Sequence, residues 1–126
     1  MSLMTPLNRV LGLGTSKGAA EHWWLQRLTA VALLPLGLWL AYALLTLPGF
    51  DYSSVAIWVQ QPVTSILLIL LVAAVGYHSA LGVQVVIEDY VAGKGSKAAT
   101  LMASTLAHVS LTIAAVFAVL KIAFGS

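Results

Sequence analysis

His78 stands inside a long apolar run, and Asp89 and Tyr90 stand where that run ends. An imidazole at membrane depth is costly to keep, so it marks a candidate functional site with a partner to be named. On a helix, the eleven steps from His78 to Asp89 leave a net rotation of about 20° and a rise of about 16 Å. One face would then carry a metal-ligand type of residue in the hydrocarbon and a carboxylate at its edge. Ala74, Val75, Leu81, Gly82 and Val85 fall around the same face, and Gly82 leaves room there for a flat group or a close helix. Spacing alone leaves two readings of His78 open: an imidazole hydrogen-bonded to a neighbouring helix, or a ligand to a metal or haem iron.

Four further residues belong to this inventory. His22 and Arg27 precede the first apolar run beside Trp23 and Trp24, residues that suit the headgroup belt. Tyr90 alone could be another belt aromatic, and Arg27 could anchor among lipid phosphates. Acids at a helix C-terminus oppose the helix dipole, so Glu88 and Asp89 are better explained by a task than by solvation. His108 lies at a depth similar to His78 on an antiparallel helix, which leaves a haem shared within one chain geometrically open. Ser104, Thr112 and Ala115 share its face, and that small, polar stripe favours a hydrogen-bonding role in helix packing.

The elements that must position these groups are membrane helices. Of 126 residues, 60% are hydrophobic and 8% charged, and the mean hydropathy is +0.98, values outside the range of soluble domains. Six Lys and Arg residues, scattered along the chain, make no nucleic-acid surface. With no cysteine, the chain cannot ligate an iron–sulfur cluster or attach a c-type haem covalently.

Apolar runs over about 28–47, 63–87 and 100–124 predict three transmembrane helices in one all-α domain, residues 1–126, with Pro35 expected to kink the first. Residues 1–20 read as a soluble lead-in, and Gly12, Gly14 and Lys17 match no nucleotide-binding fingerprint. Residues 48–62 read as a connection and 91–99 as a short flexible basic loop. Arg9, Lys17, Arg27, Lys94 and Lys97 fall on one side, which predicts a multi-pass membrane protein with its N-terminus in the cytoplasm.

The combination of Arg27-Leu28-Thr29-Ala30 at the head of the first run with His78 and Asp89-Tyr90 in the second resembles the smaller hydrophobic membrane anchor (SdhD family) of succinate dehydrogenase, respiratory complex II. The resemblance covers most of the chain. It implies a bundle shared with a second, SdhC-like anchor that supplies the other axial ligand to a b-type haem, with His78 as this chain's ligand to the iron. It further implies Arg27 at a haem propionate, Tyr90 as hydrogen-bond donor to ubiquinone, Asp89 beside it in the quinone site, and a weaker interfacial role for His22. The implied partners are an iron–sulfur subunit and a flavoprotein subunit on the cytoplasmic side, together with membrane lipid; trimers of complexes are left open. On this reading the chain is non-catalytic by itself. Two other readings stand beside it: a self-contained cytochrome b with haem between His78 and His108, and a non-redox structural subunit.

Overall fold

A computed structural model describes residues 15–125. Among them the chain is all-α: α1 spans Thr15–Thr46, α2 Tyr52–Gln60, α3 Pro62–Tyr90 and α4 Lys94–Phe124. Three helices are long and apolar enough to cross a membrane, over Ala20–Thr46, Pro62–Tyr90 and Lys94–Phe124. Arg9 and the glycines at 12 and 14 lie outside the described residues.

The helices outrun the apolar stretches that predict them. α1 begins at Thr15, so the last residues of the expected lead-in are helical, and it continues through Pro35 to Thr46. Helical residues before the hydrocarbon keep their backbone bonds inside the segment and lift Glu21, His22 and Arg27 on a rigid rod rather than a loose tail. The expected basic loop shrinks to Val91, Ala92 and Gly93, because Lys94 and Lys97 already belong to the first turn of α4. Gly93 makes this tight αα-corner with φ 84° and ψ 135°, backbone space closed to side-chain-bearing residues.

The connection over 48–62 also contains a helix that apolar periodicity did not predict. Asp51 caps α2: its carboxylate accepts from the Ser54 amide at 3.1 Å and the Ser54 hydroxyl at 2.7 Å, and from the Ser53 hydroxyl. These donors hold the Asp51 carboxyl well below the usual carboxylate range. Gln61 alone ends α2 and begins α3, with Pro62 at the first helical position where its missing N–H is harmless. Trp39 of α1 and Trp58 of α2 stack with ring centroids 6.0 Å apart, bordering a cavity of about 510 Å³ with Tyr42, Gln61 and Thr64.

α3 is central. It packs against α1 on one side and α4 on the other, and α1 and α4 do not touch. Three helices in a row enclose little: among the described residues only Ala43, Val59, Thr64, Leu81 and Ile87 are buried. Nearly all remaining apolar surface faces outward, as expected where lipid tails or other membrane helices replace water. Gly76 permits the α3–α4 contact, since a Cβ there would run into the Thr112 side chain, whose own Cβ would lie 3.3 Å away.

Candidate functional site

Each prospective site residue is placed by one of these helices. His78 lies in the middle of α3, half-buried, and faces α1. Its Nδ1 is 2.9 Å from the Thr29 hydroxyl. That same hydroxyl lies 2.8 Å from the Leu25 carbonyl and 3.0 Å from the Gln26 carbonyl, one turn back on α1. Among the described residues the His78 Nε2 has no hydrogen-bond partner, and it is not sealed inside the chain.

The face of α1 that meets α3 repeats at i, i+4 and i+7: His22, Gln26 and Thr29, all half-buried. The Gln26 amide lies over Gly82, its Nε2 3.9 Å from where a Cβ would stand. That is an ordinary contact distance, so the seam would also admit a methyl group at this position. The His22 Nε2 and the Gln26 Oε1 are buried without hydrogen-bond partners. Buried polar atoms left open in this way are expensive unless a further group completes them. Of the polar atoms along the α1–α3 seam, the His78 Nε2 is the one a group from outside the chain can reach.

Arg27 is not brought to that seam. Two residues from Thr29, it is turned about 200° around α1, where its exposed guanidinium sits over the Trp23 ring, 5.3 Å from the centroid. Asp89 and Tyr90 form the last turn of α3, both exposed, with Tyr90 84% accessible. His78 and Asp89 share a face along about 16 Å of helix as expected, whereas Tyr90 is rotated a further 100°. Glu88 is engaged locally, accepting from the Gln84 amide at 2.8 Å. The rim therefore presents a free carboxylate and a free phenol, while the imidazole lies three turns deeper.

His108 occupies the opposite seam. Its Nε2 lies 3.0 Å from the Ser79 hydroxyl, and its Nδ1 lies 2.8 Å from the Ser104 carbonyl, to which it donates. Similar depth to His78 is therefore right, but the direction is not: His78 points to α1 and His108 to the α3–α4 contact. With both ring nitrogens used, His108 has no lone pair free for iron, so a haem held between His78 and His108 does not fit. Among the described residues no three His, Cys, Asp or Glu side chains gather into a metal site. A porphyrin is different, because its own four nitrogens hold the iron and a protein chain need add only one imidazole. A half-buried, oriented His78 with an open Nε2 fits that demand.

Thr29, Gln26 and Ser79 are the residues that sequence reasoning missed. Thr29 stands two positions from Arg27, in the very tetrapeptide that drew attention. Marking polar residues every three or four positions from His22 along α1 would have found both Gln26 and Thr29.

Comparison with known proteins agrees with this architecture. Residues 1–120 match the family described as succinate dehydrogenase/fumarate reductase transmembrane subunit. The succinate dehydrogenase hydrophobic membrane anchor subunit of Rickettsia bellii is 34% identical over 106 residues, covering 84% of this chain and 85% of that protein. The anchor subunit of the same name from Paracoccus denitrificans is 25% identical over 126 residues, 100% of this chain and 97% of that one. The succinate dehydrogenase membrane anchor subunit of Reclinomonas americana is 30% identical over 96 residues, 65% of this chain and 71% of that one. No solved structure matches. A row of three membrane helices with an open imidazole at its polar seam, matched over most of its length by such anchors, belongs to the family of succinate dehydrogenase/fumarate reductase transmembrane subunits.

Proposed function

We propose that this chain works as the hydrophobic membrane anchor of a succinate:quinone oxidoreductase in a bacterial cytoplasmic membrane, binding one side of a b-type haem through His78 and one side of a ubiquinone pocket through Tyr90 and Asp89. The observation that carries the haem part is the open Nε2 of His78 on an imidazole whose other nitrogen is already engaged. A companion anchor chain would supply the other ligand to the iron, because both His108 nitrogens are engaged by Ser79 and Ser104. When bound, such a haem would supply one-electron transfer.

This chain's own residues then do simple things. His78 binds the iron and fixes the depth of the group. Arg27, exposed and held over Trp23, offers a fixed positive charge to a carboxylate near the interface. Tyr90 donates its phenolic proton in a hydrogen bond to a quinone carbonyl, and Asp89, one position away at the water boundary, accepts and passes protons toward that oxygen. His22, with a buried unpartnered Nε2 two turns from Thr29, is the remaining polar group on the cytoplasmic stretch of the seam. The succinate-oxidising flavoprotein and the iron–sulfur subunit dock on that cytoplasmic rim, with the N-terminus on the same side.

The test is spectroscopic and uses the complete complex. His78→Ala should abolish the low-spin haem spectrum, whereas His108→Ala should keep it. A normal haem spectrum in His78→Ala, or its loss in His108→Ala alone, overturns the ligand assignment.

A further inference from the structure

We infer that Thr29 is a positioning residue for His78: its hydroxyl accepts a hydrogen bond from the imidazole Nδ1–H and so holds the ring with the Nε2 lone pair turned outward. This inference rests on the reading of His78 as an iron ligand.

A hydroxyl carries one proton and two acceptor lone pairs. At Thr29 the proton has a destination on its own helix, the Leu25 carbonyl at 2.8 Å, with the Gln26 carbonyl at 3.0 Å. Threonine in membrane helices commonly makes this bond one turn back. The His78 contact at 2.9 Å then falls on an oxygen lone pair, so it is the ring nitrogen that donates. A neutral imidazole that carries its proton on Nδ1 has its lone pair on Nε2. The opposite assignment, with the hydroxyl donating to Nδ1, would put a hydrogen on Nε2 and block it as a ligand.

Geometry supports the same conclusion. Thr29 and His78 sit on different helices, 49 residues apart in sequence, and their bond spans the α1–α3 seam. β-Branching restricts the threonine side chain in a helix, and the carbonyl bond fixes it further. The imidazole is therefore held by a rigid acceptor on a neighbouring helix rather than by its own. A metal-binding histidine usually donates its second N–H in this way, which fixes tautomer and ring orientation and makes the ligand a better electron donor. A better donor favours ferric over ferrous iron. Removing the acceptor should then raise the haem midpoint potential.

The experiment compares Thr29→Val, which keeps the shape and loses the hydroxyl, with Thr29→Ser, which keeps the hydroxyl. His78→Ala runs beside them, all in the complete complex in native membranes. The readouts are haem per complex, a redox titration of the haem, and the low-spin ferric electron paramagnetic resonance signal. Thr29→Val should lower the ferric-to-ferrous ratio at a fixed ambient potential by about threefold, the share of one neutral hydrogen bond that distinguishes the two iron states. Its resonance should shift or broaden as the ring gains freedom, and Thr29→Ser should restore both properties. Loss of haem in Thr29→Val with normal haem in Thr29→Ser also supports the assignment. An unmoved potential and resonance in haem-loaded Thr29→Val overturns it, as does an equal change or equal haem loss in both variants. A native spectrum in His78→Ala overturns the ligand reading and this inference with it. Loss of that spectrum beside an unmoved Thr29→Val overturns the Thr29 assignment alone.

Discussion

A phenol at the end of a membrane helix can serve as a lipid-belt aromatic or as a hydrogen-bond donor to a ligand, and burying its ring satisfies only the first use. Tyr90 is 84% exposed at the end of α3, beside an Asp89 that has no basic partner among the described residues. On the proposed reading, that phenol donates a hydrogen bond to the quinone. Tyr90→Phe should therefore lower succinate-driven ubiquinone reduction by about tenfold, as expected for one hydrogen bond of ~1.4 kcal/mol in the transition state. Electron transfer from succinate to a soluble artificial acceptor should hardly change, because it bypasses the membrane rim. Equal loss in both assays would mean that the substitution harms assembly and that the phenol has no pocket role. The types and spacing of His78, Asp89 and Tyr90 were readable in sequence because one helix carries all three. Ser104 was legible as a neighbour of His108 on its own helix, but Thr29 beside His78 and Ser79 beside His108 were not, because rotation about a helix axis is set by the neighbours against which it packs. Arg27 shows the same limit: its depth was legible, its direction was not.

At the scale of the element, the three spans were legible from apolar length alone, while their ends and the extra helix α2 were not. Hydrocarbon thickness sets the apolar run, but backbone hydrogen bonding sets the helix, and the two differ wherever polar residues can continue the ladder into the headgroups. α2 is too short to leave a strong periodic signal; its mark in sequence is the Asp51-Tyr52-Ser53-Ser54 cap. The α3–α4 contact depends on Gly76, a glycine to which the sequence alone assigned no role. Gly76→Ala drives a methyl into Thr112, a β-branched side chain with little freedom to move aside. The expected cost is about 1–3 kcal/mol, read as a lower thermal midpoint of the solubilised complex. Adding Thr112→Ala should recover a large part of that loss, since it removes the clashing atoms. If the double variant is no more stable than the single one, the seam is not held together at this contact.

At the scale of the whole molecule, placing α3 between two helices that never meet is what leaves the seam open. A triangular bundle would turn three faces inward and bury polar atoms on every helix against this chain alone. A row turns two broad sides outward, so the His78 Nε2, which is not sealed inside the chain, stays open to a group from outside. Lipid offers neither donor nor acceptor at that depth, and association there depends on close packing and polar contacts between helices. Composition and span count could not distinguish row from triangle, because both expose apolar residues on every side. The absence of cysteine makes the distinction testable. In the complete complex, Gly76→Cys with Thr112→Cys, whose β-carbons would stand about 3.3 Å apart across α3–α4, should oxidise to a cross-link. Cysteine pairs placed along α1 and α4, such as Leu34→Cys with Ile113→Cys, should not cross-link within one chain at any register. An α1–α4 disulfide in good yield would close the row into a triangle, and with it the open side from which the proposed second anchor would reach the His78 imidazole.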